Sequence, residues 1–455
     1  MRRLLIALLL AIVVASGAAW LAGHDGRLVV DWLGYRIETS LAVLVLAFSL
    51  VFLAGIGVTR LAIFLRRDLP FSPKKRAERR TARGYEALNR AIVALAAGDR
   101  REARKLTRKA TALLPPQPLT HVIAAEAARL AEDHDAAHRH YEALAADDKA
   151  AFLGLRGLIA EARAEARWDE ARRLARQAAA LRPKSAWAQK TLFDLDVRAT
   201  DWEAALVSLE AAQKAGAFDE EAARRHRAAL LYCRAVEADL AGDGTGARDL
   251  ARKALALRPG FTPAALLAAR HLVAAGKRTA AERVLRRAWD AAPHPALVAP
   301  YLALDPQESG HARYKRVESL VARRREHVES RIALAEAALA AKRFDVAHEV
   351  LRGGPLEEDE RLPGLRLRLA EVEGDDRAIR HWRDAAARAR AHAAWVCAGC
   401  GAERALWTAT CPACGRFDSH VWSGGAASLR RVADTPAEPP ALFDGSAAGK
   451  AEATG

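Results

Sequence analysis

Four of the five cysteines fall in one short stretch near the C-terminus, as Cys397-x2-Cys400-x10-Cys411-x2-Cys414. Each pair is followed by glycine, Gly401 and Gly415, which lets the backbone turn so that its amides face the sulfurs. Four thiolates at these spacings can close a tetrahedral site around one ion, with no ligand position left open for a substrate. Zn²⁺ is the expected ion and the expected role is structural. Two disulfides are the alternative, which a cytoplasmic location disfavours. A redox pair of the Cys-x-x-Cys type needs a βαβ setting, and haem attachment needs His after the second Cys, where this chain has Gly. So small a module has little core, and structural zinc supplies ~10–16 kcal/mol of apparent binding free energy in finger peptides. Cys233 stands alone in an apolar helix and reads as a small hydrophobe.

The elements that must carry this module are helical and repetitive. Before Pro115, Pro183, Pro259 and Pro293 lies the same ladder: Ala103, Thr107, Ala110; Ala171, Ala175, Ala178; Ala247, Ala251, Ala254; Ala281, Leu285, Ala288. Steps of four and three put these residues on one helix face, where a second helix can approach closely, and proline ends the helix. Turn signals separate paired helices at Gly98-Asp99, Glu132-Asp133, Arg167-Trp168-Asp169, Thr200-Asp201-Trp202, Gly242-Asp243, Gly276-Lys277, Lys342-Arg343-Phe344 and Gly374-Asp375. Their spacing is close to 34 residues, with one insertion and one double step. That period, two helices per unit, resembles the tetratricopeptide repeat and implies an all-α solenoid of about eight or nine units over residues 83–392. A plain bundle of Ala-rich helices is the alternative. Between Pro293 and Gly310 the period lapses among four prolines, which predicts a kink or hinge.

Other residues that could do chemistry lack a setting for it. No Ser/His/Asp set, paired carboxylates or phosphate loop has structural support. A helix places His134 and His138 on one face and His140 off it, which reads as a polar surface. Gly242-Asp-Gly-Thr-Gly246 reads as a loop between repeat helices rather than a cofactor site. The expectation is a non-catalytic scaffold. The net charge of +15 and pI near 10.0 permit nucleic acid, an acidic protein or anionic lipid as partner. Much of the Arg alternates with Glu on helix faces, as in Glu161-Ala-Arg-Ala-Glu-Ala-Arg167, and aromatics are not interleaved as stacking platforms, so nucleic acid is not expected.

The N-terminal part carries two apolar runs, Leu4 to Leu21 and Leu41 to Leu65, the second interrupted only by Arg60. Each is long enough to cross a hydrocarbon core of ~30 Å. The first also reads as a secretory signal peptide, with small residues from Ala15 to Ala19 for cleavage. Basic residues lie at Arg2 and Arg3 and again at Arg66, Arg67, Lys74, Lys75, Arg76, Arg79 and Arg80. The positive-inside rule then puts both termini in the cytoplasm and the intervening loop outside. That loop, from Arg27 to Thr39, is rich in strand formers and reads as a short hairpin. The basic link, residues 71–82, is expected against inner-leaflet lipid.

Two apolar helices, the loop Val30-Asp-Trp-Leu-Gly-Tyr-Arg-Ile-Glu-Thr39, the link Arg66-Arg-Asp-Leu-Pro70 and then repeats resemble the HemY-type inner-membrane tetratricopeptide proteins of proteobacteria. The resemblance covers about residues 1–420. It implies a bacterial inner-membrane protein associated with porphyrin and haem synthesis, docking protein partners through its repeats. The absence of a strand followed by Gly-x-Gly-x-x-Gly gives no support for a flavin-dependent oxidase. The four-cysteine module, residues 393–422, resembles rubredoxin knuckles, which makes Fe the second candidate ion. Repeats ending in such a module also resemble the LapB group, which acts in regulating lipopolysaccharide synthesis; that group has one membrane helix, whereas this chain has two apolar runs, so its function is the second reading. A direct porphyrin carrier or late haem-synthesis enzyme is the remaining reading. The tail, residues 423–455, is Ala-, Gly- and Pro-rich and is expected to be disordered.

Overall fold

The computed structural model describes residues 16, 17, 20, 23, 27–32, 35–68, 73–352, 361–388 and 394–423. The chain divides into two compact units, Met1–Glu132 and Asp133–Gly455.

In the first unit, strands β1 (Arg27–Trp32) and β2 (Tyr35–Ser40) form the expected antiparallel hairpin, with Trp32 opposite Tyr35. Helix α1 (Leu41–Asp68) follows at once and is 28 residues long, about 42 Å at 1.5 Å per residue. Its stretch Val43–Ala62 has a mean hydropathy of 2.2 and is not buried in the protein; by length and composition it can cross a membrane. The first apolar run, residues 4–21, lies largely outside the described residues, as does the tail beyond Ser423. Helix α2 (Pro73–Ala96) starts ten residues before the repeats were expected to start, so Arg76, Arg79 and Arg80 of the basic link are already helical. It folds back on α3 (Arg100–Leu113), and Arg80 donates to the Ala112 carbonyl at 2.8 Å. Ala87, Leu88 and Ala91 pack there with Ala103, Leu106 and Ala110, beside Ile123 of α4 (Pro118–Leu130).

The second unit opens with α5 (His134–Ala145). Helix pairs then succeed one another: α6 (Ala151–Ala164) with α7 (Trp168–Leu181), α8 (Ala186–Arg198) with α9 (Trp202–Lys214), α10 (Glu220–Leu240) with α11 (Gly244–Leu257), and α12 (Thr262–Ala274) with α13 (Arg278–Ala291). After a break come α14 (Val298–Leu302), α15 (Gly310–Val321), α16 (Val328–Ala340), α17 (Phe344–Leu351), α18 (Leu362–Glu373) and α19 (Asp376–Arg388). This is the tetratricopeptide arrangement that the repeat period implied. The extra residues between the Thr200 and Gly242 turns go into α10, which is 21 residues long where its neighbours have 13 or 14.

The small-residue ladder is where the helices meet. Ala103, Ala110, Ala171, Ala175, Ala178, Ala247, Ala251, Ala254, Ala281 and Leu285 are all fully buried, with Ala288 and Thr107 nearly so. One residue before each proline, the chain leaves the helix and its N–H still reaches back: Leu114 to Ala110, Arg182 to Ala178, Arg258 to Ala254 and Ala292 to Ala288. Those residues turn away from helical ψ because the proline ring crowds the α conformation of the residue before it. At the other end of each pair the chain reverses through a residue of positive φ: Gly98, Glu132, Ala166, Thr200, Gly242, Gly276, Lys342 and Gly374. The spacings between these are 34, 34, 34, 42, 34, 66 and 32. An aspartate next in line often caps the following helix, as Asp201 does by accepting from the Ala204 N–H at 3.0 Å.

Between Pro293 and Gly310 the structure replaces a full helix with a 3₁₀ turn (Pro295–Leu297) and the five-residue α14. Pro295 sits at the head of the turn, and Pro300, lacking an N–H, falls inside α14. The expected kink is therefore a shortened repeat helix. Tyr301 closes it, fully buried and bonded to Arg286 at 2.6 Å and Glu282 at 3.2 Å.

Two substitutions in these contacts should move stability in opposite directions. A Cβ on Gly154 would press on the Ala145 backbone and lie 2.6 Å from the Tyr141 carbonyl oxygen. Gly154→Ala is expected to cost about 1–3 kcal/mol or more. Thr200 is a β-branched residue at φ 55°, and Thr200→Gly is expected to stabilise by about 1 kcal/mol. Chemical unfolding of the two variants beside the parent checks both signs.

Candidate metal centre

The four cysteines converge. The Sγ atoms of Cys397, Cys400, Cys411 and Cys414 all lie within 4.8 Å of one another. Cys397 to Cys414 is 3.6 Å and Cys400 to Cys411 is 3.7 Å. A disulfide needs about 2.05 Å; four sulfurs about 2.3 Å from a tetrahedral zinc stand about 3.8 Å apart. The geometry fits a metal tetrad, and all four thiols are free. Such a cluster can bind a metal ion.

Two near-identical knuckles build it. Gly401 at φ 72° returns its N–H to the Cys397 carbonyl at 2.8 Å, and Gly415 at φ 74° does the same to Cys411 at 2.8 Å. The Gly399 N–H points at the Cys397 sulfur at 3.4 Å. Strands β3 (Ala394–Cys397), β4 (Glu403–Arg404) and β5 (His420–Ser423) make a small antiparallel sheet in the order β4-β3-β5. Ser419 is 3.2 Å from Cys397 Sγ. Partial burial pushes the Cys397 thiol up, but the Ser419 hydroxyl and the Gly399 and Cys400 amides outweigh it and bring it down to about 6. Burial, with the neighbouring sulfurs, pushes Cys414 up to about 12.

The module does not stand apart from the repeats. Its four aromatic side chains pack on solenoid residues, mostly on the first helices of successive pairs. Phe417 lies 5.8 Å from the Phe193 ring on α8, 5.5 Å from His226 on α10 and 6.3 Å from Trp202 at the start of α9. Trp407 lies 5.4 Å from Tyr232 on α10 and 5.0 Å from Phe261, which caps α12. Trp395 and Trp422 enclose His294 at 5.3 and 4.0 Å. Asp418, held at φ 44° and nearly buried, accepts from Arg258 Nη1 at 3.0 Å and lies 3.6 Å from His226 Nδ1. Trp422 Nε1 donates to Glu329 on α16 at 3.2 Å, and Arg361 holds the same carboxylate at 2.9 and 3.0 Å. Aromatic pairs of this kind contribute about 0.5–1.5 kcal/mol each beyond their buried area.

Other residues singled out in the sequence fall elsewhere. His138 is bonded to Glu161 at 2.9 Å and lies 3.4 Å from Glu142; the Glu161 bond raises its pKa. The sequence reading had paired it with no carboxylate, because Glu161 comes from the next helix. Asp243 in the Gly242–Gly246 stretch caps α11 through the Gly246 N–H at 2.8 Å. Cys233 is buried and its thiol is pushed up to about 12 by that burial. The docking residues Phe417, Asp418, His294 and Glu329 went unnoticed. The one available signal was four large aromatics in a module with almost no interior to put them in.

Comparison with known proteins falls into line with this architecture. Residues 26–132 match the HemY protein N-terminus. Residues 240–303 match the tetratricopeptide repeat. The hairpin, α1 and the first repeat helices are thus the part shared with HemY proteins, and the sequence resemblance there is borne out. The chain is 28% identical over 439 residues to a probable magnetosome protein, Mms48, of Magnetospirillum gryphiswaldense, covering 92% of this chain and 93% of that protein. Among solved structures, Naa15/Naa10 bound to HypK-THB is similar over 73% of this chain and 54% of that chain at 15% identity, with a TM-score of 0.42. MamA protein is similar over 38% of this chain and 90% of that chain at 20% identity, with a TM-score of 0.25.

The docked module should respond to pH through His294. Burial pushes this side chain down to about 4. Its Nδ1 accepts from the Ala296 N–H at 3.1 Å, and its Nε2 is buried without a partner. Released from the module it would titrate near 6.5. Below 6.5 the released form takes the proton first, so docking is at full strength above 6.5 and weakens down to about 4. The loss is on the order of 3 kcal/mol at most. His294→Asn, which keeps an acceptor for Ala296, should flatten stability against pH across that window in chemical unfolding of the full chain.

Proposed function

We propose that this chain is a membrane-anchored adaptor: α1 fixes it in the bacterial inner membrane, and the tetratricopeptide pairs hold partner proteins at the cytoplasmic face. The observation that carries this is the docked module. The first helices of the pairs already bind a folded protein surface through aromatic, charged and backbone-capping residues, which is how a solenoid recognises a partner. The match to the HemY N-terminus supports an association with porphyrin or haem synthesis. In this reading Cys397, Cys400, Cys411 and Cys414 hold one Zn²⁺, with Fe the second candidate, and the ion is structural. The four-cysteine module at the end of the repeats also supports the LapB-like regulator of lipopolysaccharide synthesis as the second reading. The relative named as a magnetosome protein adds that organelle's proteins as a third class of partner.

Proximity labelling from the full chain in its native membrane separates these. Enrichment of late haem-synthesis enzymes supports the first reading. Enrichment of lipopolysaccharide-synthesis or magnetosome proteins replaces it, and tight stoichiometric porphyrin binding by the purified chain replaces the adaptor with a carrier. Orientation has its own test. A C-terminal alkaline phosphatase fusion is expected to be inactive, because the enzyme folds only when exported; activity contradicts a cytoplasmic solenoid.

A further inference from the structure

The same short segments that ligate the metal also make the dock. Trp395 is two residues before Cys397, Phe417 and Asp418 are three and four residues after Cys414, and Ser419 touches the Cys397 sulfur. Inside the module the buried apolar residues are Ala394, Trp395, Val396 and the ligands Cys397 and Cys411, and Trp395 is covered by His294 of the solenoid. Without an ion, little remains to hold β3, the knuckles and β5 together. The solenoid side differs from a core. Where helix packs on helix it is lined by alanine and leucine, but under the module His226, Arg258, His294 and Glu329 are interleaved with the aromatic rings of Phe193, Tyr232 and Phe261. The polar groups among them can be hydrated when uncovered, which lessens the cost of exposing this face.

We propose that the metal-filled module is a plug seated on the solenoid's own docking face, from α8 to α16, and that removal of the metal unseats it. This rests on the four-cysteine site holding an ion. The plug bridges five successive units of the stack, so its release uncovers a strip: Phe193 and His226, then Tyr232 and Phe261, then His294. Residues 389–393 keep the released module joined to α19, so refilling the site returns it to the same face. Partner access through this strip is therefore governed by the metal content of the chain.

The test uses the full chain in lipid nanodiscs. Metal per chain is measured by mass spectrometry, and side-chain accessibility by hydroxyl-radical footprinting, before and after treatment with a chelator plus reductant. The expected result is one ion per chain, a severalfold rise in labelling of Tyr232, Phe261 and His294 on its removal, and reversal on adding Zn²⁺. Circular dichroism should show the helices intact throughout. One ion bound, with labelling unchanged on its removal, overturns the plug while leaving the metal site standing. No stoichiometric ion overturns both. Asp418→Arg sets a cation against Arg258 and should expose the same residues with the metal still bound; protection equal to the parent's overturns the docking geometry as well.

Discussion

Helices in this chain approach closely along rows of mostly alanine side chains, and the other features rest on that constraint. The ladder of Ala171, Ala175 and Ala178 and its counterparts are buried to the last few per cent, which fixes the distance and register of each helix on the next. A left-handed residue then reverses the chain within two or three residues, and in four of the units a proline stops the helix that follows. With those conditions met about every 34 residues, the stack has no choice but to continue. It also leaves one row of helix faces in a regular array, which is the platform on which the C-terminal module sits.

The module gains from that platform what its size denies it. A thirty-residue sheet of three short strands has no interior for three tryptophans and a phenylalanine, so these side chains are buried on another surface or on none. The stack supplies the surface at its most irregular place. His294, packed by Trp395 and Trp422, lies where a repeat helix is cut down to a 3₁₀ turn and α14. The lapse in the repeat thus makes room for the module, and the four-cysteine cluster, the aromatics and the shortened helix belong to one construction.

Much of this was legible in the chain itself. The ladders and turns repeat at fixed offsets because each unit solves the same local packing problem, so Ala247 or Gly242 could be placed from sequence alone. The four-cysteine cluster was legible because its members lie within eighteen residues. The dock was not, because its partners are far apart in the chain: Asp418 meets Arg258 across 160 residues and Trp422 meets Glu329 across 93. No periodicity links them, and each half reads as ordinary surface until the other arrives. The helical character of residues 73–82 was hidden for a different reason: a run of Lys and Arg beside an apolar helix reads as a link against inner-leaflet lipid, yet α2 runs through it and Arg80 bonds to the neighbouring helix.

The central claim is that the four-cysteine module binds the stack beside it, and a double-mutant cycle at Arg258 and Asp418 tests it most directly. Unfolding free energies of the full, metal-loaded chain would be compared for Arg258→Ala, Asp418→Ala and the double variant. The account predicts a coupling free energy of about 1 kcal/mol or more, as expected for charged groups in contact. Effects that add to within about 0.3 kcal/mol would mean that the two residues do not meet and that the module is not seated there.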